Sequence, residues 1–410
     1  MISPHDARRC VLENVAPLAT ETITHSEVLG RTLAQDIVAP LDLPPFDNSA
    51  MDGYAVRADD LQNASETHPI RLRVLETTAA GDFPEYSIES GTCARIMTGA
   101  PVPRGSDAVI MREETREDEN SVEILATAKR GQNIRRAGSD VSRGEIVLHR
   151  GDLVRAAEWG MLASLGCAQI EVGRRPRVGI VVTGDELVAV DAPLAPGQIR
   201  DSNSFTLRAL VEECGARVEE IRHARDDVHT LEAALNDLSQ TCDAIVTSGG
   251  VSMGDFDPVR DVLLQKARVH FWKIAMKPGK PVLFAHWQQG EYSIPVWGLP
   301  GNPVSVMVSF EQFVRPALLQ MQGRKFLNRP QLQARLQSDL RSPGGKVEFA
   351  RALVVPHENG WRAILPGDQS SGRLSTMTRA NALVVIPADV TFVAAGDCVT
   401  AQMTSWPETH

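Results

Sequence analysis

The sequence predicts a multidomain protein in which an α/β domain lies between two regions of short strands. Three observations carry this. From residue 177 to about 322, apolar strand-like runs alternate with helical stretches, the sequence form of an open α/β sheet. From about 54 to 145 and again from about 330, short alternating runs are separated by turns, as in small β domains or barrels. The 410 residues leave room for roughly two to four domains, each with its own core.

Each element has a local reason. Residues 3 to 16 read as a helix, with Ser3 as N-cap, Pro4 in first position and Ala7, Cys10, Val11 and Val15 on one face, stopped by Pro17. A second short helix is expected from Ser26, carrying Val28, Leu29 and Leu33, before Pro40, Pro44 and Pro45 force extended chain. The first β region is expected to hold strands at Ile70 to Leu75, Thr92 to Met97, Ala108 to Met111 and Val122 to Leu125, and residues 155 to 165 a helix closed by Gly166. In the α/β region Arg177 to Thr183, Val218 to Ile221, Ala244 to Thr247, Val269 to Met276, Val282 to Ala285 and Ile294 to Trp297 read as strands. Helices follow at Asp201-Ser-Asn, at 228 to 240, near Asp257-Pro258, and from Pro303 to about Met321. The last region places strands at Leu332 to Leu336, Val347 to Val355, Trp361 to Leu365, Ala382 to Ile386 and Cys398 to Met403.

Composition narrows the function classes. A net charge of -10 argues against a nucleic-acid grip, which needs basic surface to displace phosphate counterions. The six cysteines stand at least 28 residues apart, so they form no short chelate or disulfide loop, and reduced thiols are the default. His5, Asp6, Arg8 and Arg9 stand where a signal peptide would place its apolar core, and no apolar run reaches membrane-spanning length. A cytoplasmic chain without membrane or nucleic-acid partners is expected.

The chemistry-bearing residues cluster in turns. Gly184-Asp-Glu186, Arg225-Asp226-Asp227, Ser248-Gly249-Gly250 and Leu299-Pro-Gly-Asn-Pro303 all follow strands, so a parallel sheet would gather them at its carboxyl edge, where such sheets bind ligands. Glycine turns offer backbone N–H groups to an anion, whereas Glu186, Asp226 and Asp257 would repel it. A divalent metal such as Mg2+, held by carboxylates and substrate oxygens, resolves that conflict; each carboxylate taken singly reads first as a helix cap or a solvated acid, and only the set favours ligand and metal. Lys273, Lys277 and Lys280 flank a Pro-Gly turn and form a compact basic corner suited to a tetrahedral oxyanion. Pro44 to Val56, with Asp47, Asn48, Ser49 and Asp52 among Phe46, Met51 and Tyr54, reads either as a structured linker with a hairpin turn at Asp52-Gly53 or as a ligand site. The Met97-Thr98-Gly-Ala-Pro101 turn is open between a plain turn and a binding role. Arg135 to Asp140 reads as a solvated basic turn, and Arg351, in mid-strand between Ala350 and Ala352, as part of a solvated face.

Pro45-Phe-Asp-Asn-Ser-Ala-Met-Asp-Gly-Tyr-Ala-Val56, Met97-Thr-Gly-Ala-Pro101, Thr183-Gly-Asp-Glu-Leu187, Ser248-Gly-Gly-Val-Ser252, Lys277-Pro-Gly-Lys-Pro281 and Leu299-Pro-Gly-Asn-Pro-Val-Ser305 occur in that order. Together they resemble the molybdopterin molybdenumtransferase family, MoeA and the gephyrin E domain, over essentially the whole chain. The resemblance implies an elongated subunit with a discontinuous N-terminal domain (1–45 and 140–175), an inserted β domain (46–139), a molybdopterin-binding α/β domain (176–325) and a C-terminal β barrel (326–410). It implies insertion of molybdate into adenylylated molybdopterin with Mg2+ and release of AMP, by a homodimer with active sites between subunits and transient contact with other molybdenum cofactor enzymes. Carried onto this sequence, it assigns Asp52, Thr98, Glu186, Asp226 and Asp257 to the pterin nucleotide and metal. It places Ser248, Gly249, Gly250, Ser252, Pro300, Gly301, Asn302 and Pro303 along the substrate, and Lys273, Lys277, Lys280, Ser305, Arg351 and Ser371 around molybdate. The alternatives are a pterin adenylyltransferase, which shares the Ser248 to Ser252 type of domain, and a non-catalytic scaffold related to the gephyrin E domain.

Overall fold

The structure is a computed structural model that describes residues 1–251, 257–290, 292–358 and 360–406. It divides into two compact units. One comprises Met1–Gln35, Arg150–Arg155 and Gln169–His410; the other comprises Asp36–His149 and Ala156–Ala168.

The smaller unit is built on a six-stranded sheet in the order Ala108–Met111, Gly53–Val56, Thr92–Ile96, Ile70–Thr78, Ser121–Ile124, Thr115–Glu117. The four expected strands are present. Tyr54, Leu72, Cys93, Ile110, Val122 and Ile124 fill its core. Asp52-Gly53 is not a hairpin turn: Gly53 starts a strand paired on both sides, and a Cβ there would stand 1.8 Å from the Ile110 carbonyl oxygen. Glycine is needed for close approach, not for turning. The helix Ala156–Ser164 completes the unit, with Gly166 beyond it in the left-handed region.

The larger unit begins with the helix Pro4–Glu13, whose Ser3 hydroxyl accepts the Asp6 N–H as expected of an N-cap. The helix expected from Ser26 is only a single 3-10 turn, His25–Glu27. Ahead of it, Thr20–Thr24 forms a strand against Gln169–Gly173, because three threonines at alternate positions favour pleated chain. Gly30, with φ of 74°, prevents continuation of the helical turn.

The α/β sheet has the order Arg217–Ala224, Arg177–Thr183, Ala244–Ser248, Tyr292–Leu299, Leu283–Gln289, Ala267–Trp272. The first four strands are parallel, and Leu283–Gln289 pairs antiparallel with both its neighbours, Tyr292–Leu299 and Ala267–Trp272. Strand Arg177–Thr183 is apolar on both faces because both are covered. Val178, Ile180 and Val182 join Leu207 and Val211 of the helix Asn203–Glu213, while Val181 joins Leu231, Leu235 and Leu238 of the helix Val228–Thr241. The strand expected from Val269 to Met276 is broken instead. Lys273 takes φ of 73°, and Met276–Lys277 leaves the sheet to pair with Val347–His357. The helical run from Pro303 reaches Met321 as expected, with one π turn at Phe310–Val314.

All five expected strands of the last region are present, and they close. Gln331–Leu336, Gly360–Ile364, Val347–His357, Ala382–Ile386 and Cys398–Met403 pair in a ring, with Val347–His357 bonded on both sides and Gln331–Leu336 rejoining Cys398–Met403. Ala350 and Ala352 point into the barrel core. Arg351 points outward, yet not into solvent: it is 1% exposed. The 368–371 loop folds over it, and the guanidinium donates to the Asp368, Gln369 and Ser370 carbonyls and to Thr376 Oγ1 at 3.0–3.3 Å. The backbone N–H of Arg351 donates to Gln369 Oε1 at 2.8 Å. Replacing Arg351 with leucine strips these carbonyls of buried donors. The expected result is a loss on the order of 2–4 kcal/mol in denaturant unfolding, with faster proteolytic cleavage at the 368–371 loop.

Candidate active site at the carboxyl edge of the sheet

Because the four parallel strands run the same way, their following turns meet at one edge. There they enclose a pocket of about 440 Å³ lined by Thr183, Gly184, Glu186, Leu187, Ile199 to Asn203, Asp226, Ser248 to Val251, Asp257 and Gly301 to Pro303. Glu186, Asp226, Asp257, Ser248, Gly249, Gly250, Gly301, Asn302 and Pro303 are therefore brought together. Pro300 is buried and not part of this lining, and Ser252 lies outside the described residues.

The glycines are required by their neighbours. At Gly249 (φ 97°) a Cβ would stand 2.7 Å from the Thr183 carbonyl oxygen, and at Gly250 (φ 63°) 2.8 Å from Val259 Cγ2. The Gly249 N–H donates to the Leu299 carbonyl at 3.1 Å, and the Gly250 carbonyl accepts from Arg260. Both turns are tied by a residue that sequence reading treated only as part of a helix start. Asn203 Nδ2 donates to Ser248 Oγ at 2.9 Å and to the Gly301 carbonyl at 2.7 Å. Asp201 steadies that helix start by accepting the Ser204 N–H at 3.1 Å and bonding His223 Nε2 at 2.8 Å. Burial works to raise the Asp201 pKa, but these bonds outweigh it and hold the carboxyl below its ordinary value. The Asp201-Ser-Asn triplet was the available signal; the tertiary partners of Asn203 were not.

The acidic residues divide into two groups. Asp226 is pushed above its ordinary value, first by partial burial in the cleft and then by the charges of Asp185 and Glu186, against a bond from the Asp185 N–H. Asp257 is 5% exposed and faces Arg260 Nη1 at 3.6 Å. Glu186, Asp226 and Asp257 thus share one pocket but do not form a ready chelate: among the described residues, no three His, Cys, Asp or Glu side chains are grouped to hold a metal. The charge of Asp257 is already faced by an arginine. Asp185 is an acidic neighbour that sequence reading left unassigned.

The oxyanion candidates adjoin the helical run Pro303–Met321. Ser305, 4% exposed, lies in its first turn, and the Val304 N–H donates to the Ser371 carbonyl at 3.3 Å. One turn on, Ser309 Oγ sits 2.5 Å from where a Cβ on Gly279 would be, so the Lys277-Pro-Gly-Lys280 corner packs on the same helical run. Lys277 Nζ is 2.9 Å from Oε1 of the buried Glu348, whose other oxygen has no hydrogen-bond partner. Lys273 lies apart in its contacts, with its ammonium 3.7 Å over the Trp272 ring, and the Lys280 carbonyl accepts from Ile274 N–H. Arg351 reaches this region through the 368–371 loop that it holds.

In the smaller unit, the Thr98 N–H and hydroxyl both donate to Asp52 Oδ1 at 2.7 Å. These bonds, the backbone one first, hold the Asp52 carboxyl below its ordinary range. Asp52 and Thr98 are thus one exposed hydrogen-bonded pair. The Arg135 to Asp140 turn is exposed, but Arg136 is paired with Asp47 at 2.5 Å and so closes on the Pro44 to Val56 segment.

Comparison with known proteins agrees along the chain. Family models described as "MoeA N-terminal region (domain I and II)", "Probable molybdopterin binding domain" and "MoeA C-terminal region (domain IV)" match residues 2–166, 179–320 and 333–403. Fold and pocket together therefore define a multidomain MoeA-type protein. Molybdopterin molybdenumtransferase 2 of Mycobacterium tuberculosis is 42% identical over 405 residues, covering 97% of this chain and 98% of that protein. The molybdopterin molybdenumtransferase of Haemophilus influenzae is 37% identical, covering 98% of each. A crystal structure of the molybdopterin biosynthesis moeA protein from Pyrococcus horikoshii OT3 superposes with a TM-score of 0.84 at 32% identity, covering 98% of this chain and all of that one. The chain belongs to the molybdopterin molybdenumtransferase family.

Two outcomes follow for the pocket. Asn203→Ala should unpin the two turns, speeding amide exchange of Gly249 and its neighbours while leaving the barrel's exchange unchanged. For Asp226, the folded state binds a proton more readily than the unfolded one. Its favourable contribution is full below the ordinary carboxylate pKa and is lost as pH rises through the raised value. Asp226→Asn should therefore raise the melting temperature slightly at about pH 8 and leave it nearly unchanged at about pH 3.5.

Proposed function

We propose that this chain is an enzyme of molybdenum cofactor biosynthesis, a transferase that inserts molybdate into adenylylated molybdopterin and releases AMP. The observation that carries the reading is the glycine-lined pocket at the carboxyl edge of the sheet, in a chain that matches named molybdenumtransferases from end to end. The adenylyltransferase and scaffold alternatives are not favoured, because MoeA N-terminal and C-terminal regions flank the α/β domain and the full-length relatives are named as transferases.

In this reading the backbone N–H groups of Gly249 and Gly250 and the turn at Gly301 to Pro303 cradle the phosphates of the pterin nucleotide, with Ser248 and Asn203 fixing the spacing between the turns. Ser252 and Pro300 belong to the same assigned set. Negative charge at Asp185, Glu186 and Asp226 suits a cation shared with phosphate oxygens, so Glu186 and Asp226 would hold Mg2+, with Asp257 aligning the nucleotide together with Arg260. When bound, Mg2+ would neutralise charge on the phosphoanhydride. Lys277, Lys280, Ser305 and Ser371 would receive molybdate, with Lys273 at the margin. Arg351 would act by holding the Ser371 loop, since its donors are spent on that loop. Asp52 and Thr98 belong to the set assigned to the nucleotide and metal. No cysteine lines the described pocket, which favours catalysis by positioning and charge over a covalent intermediate. Homodimer assembly, a cytoplasmic setting and transient hand-over to other cofactor enzymes complete the proposal; no helix of the described residues is long and apolar enough to cross a membrane.

The test is AMP release from adenylylated molybdopterin, with and without molybdate and Mg2+, read beside cofactor formation. Release that requires both ions and tracks the cofactor is expected. Asp257→Ala should abolish turnover with oligomeric state intact, and undiminished turnover in that variant would remove Asp257 from the assignment. Accumulation of adenylylated pterin from pterin and ATP would overturn the transferase reading itself.

A further inference from the structure

The helical run that begins at the pocket leads, at its π turn, into an arginine cluster that the reaction does not use. Glu311, 4% exposed, sits in that turn. Arg329 forks onto it, with Nη2 at 2.7 Å from Oε1 and Nε at 3.0 Å from Oε2, and Arg315 Nε lies 3.9 Å away. Arg8 of the N-terminal helix donates to the Leu327 carbonyl at 3.3 Å and to Asn328 Oδ1 at 2.6 Å, while Arg315 Nη1 donates to the same Leu327 carbonyl at 3.0 Å. Arg324 completes the group, and its Nε is buried without a hydrogen-bond partner.

This is too much positive charge for the carboxylate it surrounds. Burial lowers the pKa of Arg8, Arg315 and Arg324, and repulsion adds to it: Arg315 acts on Arg8 and Arg324, and Arg329 on Arg315. For Arg329 burial works the same way, but its bonds to Glu311 outweigh it. The single buried carboxylate is therefore shared between Arg329 and Arg315, Arg8 bonds only neutral acceptors, and the four guanidiniums are held close at an electrostatic cost. Two members of the cluster, Arg8 and Arg329, open with Arg9 and Lys325 on a cavity of about 970 Å³ that also holds the Glu13 carboxylate, 3.9 Å from Arg9, and the amides of Gln312, Asn328, Gln331 and Gln402; Arg315 and Arg324 lie outside its lining. None of these residues lines the pocket at the sheet edge. In a protein of net charge -10, such a concentration of cations is a local feature, not a global one.

We infer that this cavity is a second ligand site, which takes a small multivalent oxyanion between the arginine cluster and the side-chain amides. The volume fits a metabolite-sized ligand. Guanidinium and amide N–H groups are the donors that carboxylate and phosphate oxygens require. Arg8, Arg9, Lys325 and Arg329 against the single carboxylate of Glu13 leave the lining with a positive excess that an anion there offsets.

Isothermal titration of the full chain with pyrophosphate, and separately with citrate, at matched ionic strength tests this. Wild type is compared with Arg9→Gln/Lys325→Gln and with Gln331→Glu, all at exposed positions of the cavity rim. The expected result is binding of at least one anion by wild type, weakened about tenfold or more in either variant, with the ligand-free melting temperature unchanged. Binding of pyrophosphate alone would identify phosphate as the ligand chemistry, and of citrate alone, carboxylate. Equal affinity in wild type and both variants would put the anion elsewhere, and absence of binding by wild type would leave the cavity without a ligand; either overturns the inference.

Discussion

The parallel register of four strands is the constraint on which the larger unit's chemistry depends. Arg177–Thr183 pairs with Arg217–Ala224 on one side and with Ala244–Ser248 on the other, and the latter pairs with Tyr292–Leu299. All four end at the same edge, so turns separated by more than a hundred residues in sequence become walls of one pocket. Parallel pairing also explains the apolar runs, since crossover helices cover both faces of the sheet. A slip of one residue in Ala244–Ser248 would turn Ile245 and Val246 to the wrong cores and move Ser248 away from Asn203.

Close approach of backbones then sharpens the pocket. Gly249 lies against the Thr183 carbonyl and Gly250 against Val259, leaving no room for side chains where the turns meet. Asn203 converts proximity into fixed spacing through two donors on one nitrogen. The acids at this edge are balanced differently, with Asp257 facing Arg260 and Asp226 sharing its surroundings with Asp185 and Glu186. A site built this way combines glycine turns held at a fixed spacing with local negative charge.

The same unit couples its sheet to its barrel through one short pairing. Lys273 in a left-handed conformation turns the chain out of the α/β sheet, and Met276–Lys277 then runs beside Val347–His357. In that register Lys277 lies opposite Glu348, which pairs with it at 2.9 Å. Three residues along the same barrel strand, Arg351 holds the loop that carries Ser371 toward Val304. The barrel thus carries partners for two parts of the proposed oxyanion site, and its closure is what fixes their positions.

The strands of the sheet and barrel, the capped helix at Ser3, the helix from 228, and the gathering of glycine turns were legible in the sequence, because periodicity and capping act over a few residues. The motifs also mark Glu186, Asp226 and Ser248 to Gly250 as candidate site residues, and the fold brings them to one pocket. What the tertiary structure alone decided depends on partners far away in the chain. Arg351 reads as solvated in a strand pattern, and only the loop folded over it makes it buried. Asn203 reads as a helix start, and only Ser248 and Gly301 make it a clamp. Asp52-Gly53 reads as a turn, and only the Ile110 carbonyl explains its glycine. Local propensity determines which element forms; a side chain's role is set by what long-range packing brings against it.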